Sequence, residues 1–237
     1  MLGEAVVDEG VQNHDSQLTT DGRRGASTKQ QLAAAAAVGA VIAAGSFGAE
    51  ERASGSTDAA CGTERWAVKT LTDPAAASVD FAHVHSSTIA KLGHLKAPSH
   101  PMTRTTREKR VYRVHAILDS IPGLDSQGKK LGFRFEDDKD IHLAIRDANG
   151  ATMILEFPDP SCTVGAQHRY AMAKARAALI KSCGQPPTGH FRELHGTATI
   201  TGVLFFDFPH HQRGHAPNFA ELHPVLAFRS KNCSPSG

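Results

Sequence analysis

The chain lacks the short signatures that would fix a reaction. It contains no G-x-S-x-G, H-E-x-x-H, P-loop or Rossmann fingerprint, so neither a serine-hydrolase elbow, a zincin helix nor a nucleotide-phosphate cradle can be read from it. Its four cysteines form no C-x-x-C pair, which argues against a zinc knuckle. An excess of one charge is missing as well. A net charge of +2 over 237 residues gives no general electrostatic case for nucleic acid, whose binders show a basic excess or face. Tryptophan occurs once, in CGTERWAVKTLTDP, where it reads as an anchor for an N-terminal segment. Long apolar runs are confined to residues 32–49. That run is Ala-rich and shorter than the ~20 residues a spanning helix needs, and no other stretch could cross a membrane.

What precedes and surrounds that run reads as an address rather than as structure. Arg23 and Arg24, the apolar stretch and the small residues at its end describe an export signal. Residues 1–49 are therefore assigned to an N-terminal extension and export signal, and the small polar residues 50–60 to a linker. The expected localisation is secreted or cell envelope, with no transmembrane segment in the mature chain. An even number of cysteines behind an export signal predicts two disulfides. Of the three pairings, Cys61–Cys233 would close the ends of the folded region and Cys162–Cys183 would bracket one helix; these are the expected pairs.

Residues 61–107 are expected to wrap the domain, with one helix-like patch near Ser87–Leu92. From residue 108 to 233 the pattern becomes that of a folded core. Alternation places Tyr112, Val114, Ala116 and Leu118 on one face of a strand at 109–118. Ile141, Leu143 and Ile145 do the same at 140–147, and Met153, Leu155 and Phe157 at 151–158, after an Ala-Asn-Gly turn. A helix is predicted over 167–182, with Tyr170, Ala173, Ala177 and Ile180 at helical spacing and Gly184 as its stop. Two strands follow, 196–208 and 223–230, and Gly202 in the first marks a bend or bulge. Three strands, a helix and two strands is the element order of the OB-fold, a five-stranded barrel with one helix between strands three and four. Its ligands bind on the outer face of strands two and three and on the loops joining strands 1–2 and 4–5.

Those two loops carry the chemistry. Fourteen histidines are present, and His210, His211, His215 and His223 fall with Gln212, Asn218 and Glu221 in the single stretch Asp207–Phe228. Imidazoles, amides and a carboxylate are the side chains that ligate metals or move protons. Glu221 and His223 leave the same face of a strand, so the carboxylate could orient the imidazole; with Asn218 they are the candidate catalytic residues. In the other loop, Glu136, Asp137, Asp138 and Asp140 precede a strand, and oxygen ligands of this kind hold hard divalent cations. Asp138 and Asp140 are the candidate metal ligands. His142 and Glu156, outward on their strands, join His210, His211, Gln212 and His215 as candidate ligand-binding residues. The competing reading is a solvated acidic loop and a histidine loop held by hydrogen bonds to itself.

Two resemblances add to this. The pieces CGTERWAVKTL, EDDKDIHL, TMILEFPDPSC, GTATITGV and GHAPNFAELHPVL resemble a group of uncharacterised secreted bacterial proteins, with no activity attached. EDDKD at 136–140 and Phe157-Pro158-Asp159-Pro160 also resemble, more loosely, the Asp-Gly-Asp turn and Asp-x-Pro stretch of the thermonuclease-like OB-fold nucleases. That second resemblance implies Asp138, Asp140 and Asp159 as metal carboxylates. Lys139 stands where those nucleases carry glycine, and their third-strand arginine has no counterpart.

Together these readings predict an exported OB-like barrel acting as a divalent-metal-dependent phosphodiester hydrolase, with Ca²⁺, Mg²⁺ or Zn²⁺ as cofactor. The alternative is a non-catalytic secreted module binding an oligosaccharide, a peptide or a nucleic acid on the same loop face.

Overall fold

A computed structural model of the chain describes residues 61–62, 64–99, 102–119, 131–210 and 212–236. The extension, export signal and linker expected at 1–60 lie outside the described residues, as does His211. The described elements are α1 (Trp66–Lys69), β1 (Asp80–Ser86), α2 (Ile89–Gly93), β2 (Arg110–Ile117), β3 (Phe133–Phe135), β4 (Ile141–Arg146), β5 (Thr152–Phe157), α3 (Arg169–Cys183), β6 (Leu194–Phe206) and β7 (Ala220–Pro235). The architecture is mainly β.

All seven strands belong to one sheet, in the order β1-β2-β6-β7-β5-β4-β3. A further pairing of Ile117 with Arg146 joins β2 to β4, so β2, β6, β7, β5 and β4 close a ring. β1–β2 and β5–β7 are parallel; the other pairs are antiparallel. Side-chain alternation then divides each strand between the inside and the outside of the ring. Tyr112, Val114, Leu143, Ile145, Leu155, Phe157, Leu204 and Leu222 share one buried cluster with Leu179 of α3 and Leu92 of α2. A second cluster of Leu71, Val79, Val111, Met172 and Val203 lies under the N-terminal segment. Segment 61–79 thus covers part of the outer face instead of leaving it to solvent.

Local chemistry explains the connections. The β4–β5 hairpin turns on Asp147, whose Oδ1 accepts from the backbone N–H of Asn149 and Ala151 at 2.9 and 3.0 Å. The patch expected at Ser87–Leu92 is α2, capped by Thr88 Oγ1 accepting from Lys91 N–H at 3.1 Å. Gly202 marks a register shift in β6, where a Cβ would stand 2.9 Å from both Leu222 Cβ and the Pro224 carbonyl oxygen. Among the described residues, no helix is long and apolar enough to cross a membrane.

Three sequence expectations need correction. The disulfides are Cys61–Cys162 and Cys183–Cys233, with Cα separations of 5.7 and 5.0 Å, not Cys61–Cys233 and Cys162–Cys183. Cys162 lies in the turn before α3 and Cys183 is the last residue of that helix, and each is taken by a different terminal segment, at Cys61 and at Cys233. On α3 itself the period is right and the phase is wrong. Met172, Ala175, Arg176, Leu179 and Cys183 are buried, whereas Tyr170 is 71% exposed. Finally, β1 and β3 went unforeseen. β3 has three residues, too few to display alternation, and six of the seven residues of β1 are exposed.

Candidate functional site

The outward residues of β4, β5, β7 and β6 form one polar row. His142 lies opposite Glu156 across β4–β5. Glu221 pairs with Ile154 on one side and with Phe205 on the other, and His223 follows it two residues along β7. Each alternates with core residues, so the row faces out of the ring. Being outward does not make it exposed: His142, Glu156, Glu221 and His223 are 0–6% accessible. His142 and Glu156 are outward on their strands, as their alternation predicts, yet buried.

Beside Phe205 and Asp207 the cover comes from the N-terminal segment, whereas Phe191 packs edge-on to His142. Arg65 Nη1 donates to the Phe206 carbonyl at 2.8 Å, and its guanidinium stacks on the Phe205 ring at 4.7 Å. Glu108 holds the same guanidinium through two bonds of 2.8 and 2.9 Å and accepts from the N–H groups of Thr105 and Phe206 at 2.7 and 3.0 Å. Lys69 Nζ reaches Asp207 at 3.5 Å. The pKa of Lys69 is lowered by burial, but Asp207 and Glu221 outweigh that and raise it overall.

The acidic turn arrives from the other side. It closes through Glu136 N–H to the Asp140 carbonyl at 2.9 Å and Lys139 N–H to the Glu136 carbonyl at 3.0 Å. Arg176 of α3 fastens it, donating to the Phe157 and Lys139 carbonyls at 2.6 and 2.7 Å. The two loops meet in one cleft of about 670 Å³. Glu136, Asp138, Asp140 and Glu156 line it together with Asp207, His210, Gln212 and His223. Cys61, Gly62 and Glu64 form part of its rim.

Inside the cleft, His223 lies between two carboxylates: Nε2 is 3.5 Å from Asp140 Oδ2 and Nδ1 is 3.8 Å from Glu221 Oε2. Asp140 uses its other oxygen to accept from Asp159 N–H at 2.8 Å, and Asp138 accepts from Asp140 N–H at 3.1 Å. Burial pushes the Asp140 carboxyl up to about 6 and Glu221 to about 7. Burial raises Glu156 well above the ordinary range, with Glu136 and Asp140 adding to it. Burial and then the Asp140 charge raise Asp138. Burial lowers His142 to about 4 and depresses His223, both toward the neutral imidazole. Without a cation the site therefore favours the protonated forms of Asp138, Asp140, Glu156 and Glu221 more than water does, and the neutral forms of His142 and His223. Among the described residues, Asp140 Oδ2, Glu156 Oε2, Glu221 Oε2 and the ring nitrogens of His142 and His223 are buried and find no hydrogen-bond partner.

Two candidates lie elsewhere. Asn218 Nδ2 donates to the Leu92 and Leu95 carbonyls at 2.9 and 2.8 Å, and its Oδ1 accepts from Ala220 N–H. It ties α2 to the loop and takes no place in the cleft. His215 stacks on Phe219 at 4.7 Å and bonds the Ala216 carbonyl; it lines a separate hollow beside α2. Sequence reading missed Lys69, Arg65 and Glu108. WAVK and REK carry no local signal, because their partners lie dozens of residues away. Comparison with protein-family models, curated proteins and solved structures found no match to this chain.

Proposed function

We propose that the chain is an exported OB-type barrel whose outer face carries a divalent-cation-dependent hydrolase site for phosphodiesters. The barrel reading is supported by the ring β2-β4-β5-β7-β6, with β5–β7 parallel and α3 between β5 and β6. The export reading is supported by two disulfides. Lys139, which replaces glycine in the turn resembling that of the nucleases, has φ 70, a backbone that glycine adopts freely.

The observation that carries the function is His223, set between Asp140 and Glu221 on a cleft that Glu136, Asp138 and Glu156 also line. A neutral imidazole between two carboxylates is built to take a proton from water and pass it on. His223 is the base, positioned by Glu221 and Asp140. Asp138 and Glu156 supply cation-facing oxygens. Lys69 is the one Lys or Arg among the described lining residues, so a phosphate enters only through bound cations, and these would activate the attacking water as well. The cover formed by segment 61–70 leaves a cleft sized for a nucleotide or strand end, which disfavours the reading as an oligosaccharide-binding module.

The test is hydrolysis of DNA, RNA and a small phosphodiester by the full chain with Mg²⁺, Ca²⁺, Mn²⁺ or Zn²⁺ and after chelation. Activity that needs a cation and disappears in His223→Ala and Glu221→Gln is expected. Binding of these polymers without hydrolysis under any cation would return the site to the non-catalytic reading.

A further inference from the structure

We propose that Glu136, His142 and Glu156 form the cation seat of this cleft and that it selects a borderline transition ion of the Zn²⁺ class over Ca²⁺ or Mg²⁺. The inference rests on the cation-dependent reading above and gives it a ligand set. His142 Nδ1 lies 2.9 Å from Glu156 Oε1 and 3.3 Å from Glu136 Oε1, and all three atoms lie within 4.8 Å of one another. Neither approach has the direction of a hydrogen bond, for Nδ1 is left without a partner although His142 is 0% exposed. One imidazole nitrogen and two carboxylate oxygens thus lie close enough together to share one ion. Arms of about 2.05 Å around a tetrahedral ion set ligand–ligand edges near 3.3 Å, and the two nitrogen–oxygen edges here are 2.9 and 3.3 Å.

The surroundings hold this arrangement still. The β4–β5 register sets His142 opposite Glu156, and the β3–β4 register sets Arg134 opposite His142. Arg134 grips both oxygens of Glu136 at 2.7–3.2 Å, as outer-shell partners of ligating carboxylates do. Phe191 packs edge-on to the imidazole at 5.3 Å and closes the side away from the cleft. Glu136 and Glu156 line the cleft itself, so a fourth position opens toward substrate, the arrangement of three-ligand catalytic sites. One nitrogen in a set of three donors decides the metal class: Ca²⁺ and Mg²⁺ take oxygen, whereas imidazole suits zinc and its neighbours.

The experiment uses the full chain with disulfides intact, stripped by chelator and titrated with Zn²⁺ in competition with a chromophoric chelator. Co²⁺ replacement gives a visible ligand-field spectrum as an independent readout. One tightly held Zn²⁺ per chain is expected, with Ca²⁺ and Mg²⁺ unable to displace it. Glu156→Gln and His142→Gln are expected to weaken it by more than about 100-fold, beyond the usual effect of outer-shell changes, and to erase the Co²⁺ spectrum. If His142→Gln fails to fold, Glu136→Gln at the cleft wall carries the same reading. Unchanged Zn²⁺ affinity in Glu156→Gln, competitive displacement by Mg²⁺ or Ca²⁺, or loss of zinc only in His210→Gln would overturn the inference. Zinc bound at this seat with no hydrolysis removes the hydrolase reading alone. Mg²⁺-dependent hydrolysis in a protein whose Glu156→Gln form keeps its zinc removes this inference alone.

Discussion

At the scale of single residues, the buried charges fall into two kinds, and substitution separates them. Arg65 and Glu108 hold each other through two hydrogen bonds of 2.8 and 2.9 Å, with side chains 1% and 0% exposed. Removing one partner strands the other charge in a dry setting, which costs about 3–5 kcal/mol. Glu108→Gln is therefore expected to lower unfolding free energy by that amount in urea titration, with little dependence on salt. Glu221 is the opposite case. Its Oε2 is buried without a hydrogen bond, so the neutral isostere removes a cost and no bond. Glu221→Gln should keep or raise the melting temperature of the chelated protein while abolishing hydrolysis, and His223→Gln should lose activity with a smaller loss of stability than His223→Ala, which empties a buried site against Phe205. Scanning calorimetry at neutral pH checks both. A fall of several degrees in Glu221→Gln would mean that the carboxylate holds β7 in place and that the row is structural.

Elements were legible where a local pattern carries the information. β2, β4, β5, α3, β6 and β7 were visible as alternation or helical spacing because each buries one face for most of its length. Asp147's turn and the bend at Gly202 were visible because turn chemistry is local. The disulfide pairing, the phase of α3 and the closure of the outer face depend on where segment 61–79 lies, which no local pattern encodes. The candidate site divides the same way. Glu221, His223, Asp138, Asp140, His142 and Glu156 were legible from parity and loop position, and they do meet in or beside one cleft. Asn218 and His215 shared that loop's chemistry but were drawn off by α2, whose Leu92 and Leu95 carbonyls need donors at the end of a short helix. Asn218→Ala takes the side-chain donor from the Leu95 carbonyl, while the Leu92 carbonyl keeps the Leu95 N–H at 3.2 Å, at a cost of about 1–3 kcal/mol. It should speed amide hydrogen exchange across Ile89–Leu95 without moving cation affinity. A change in cation affinity of tenfold or more would mean that the loop's tether to α2 also shapes the cleft.

At the scale of the whole molecule, covering a polar sheet face makes stability depend on pH in an unusual direction. Most folded proteins bury carboxylates as satisfied anions and gain stability as pH rises from acid. Glu108 and Asp159, lowered overall because their hydrogen bonds outweigh burial, follow that rule: their contribution is complete above the unfolded pKa near 4 and is lost as pH falls through the folded value. The cleft does the reverse. Asp140, Glu156 and Glu221 have folded pKa values above their unfolded ones, so the stability they confer is present below pH 4 and is lost as pH rises through the folded values, about 6 for Asp140 and about 7 for Glu221. His142 and His223, held below their usual pKa, oppose this between pH 4 and 6.5, because acid then charges them only in the unfolded chain. Above pH 6.5 the histidines are neutral in both states and the opposition ends. The chelated protein should therefore lose melting temperature as pH rises from 6.5 through about 7, the folded value of Glu221, and Glu221→Gln should flatten that slope. A cation binds the deprotonated cluster and stabilises the folded state by mass action. With saturating Zn²⁺ the slope should disappear or reverse over the same range. Two parallel curves, with and without metal, would mean that the ion binds away from the titrating carboxylates and that the cleft is not its seat.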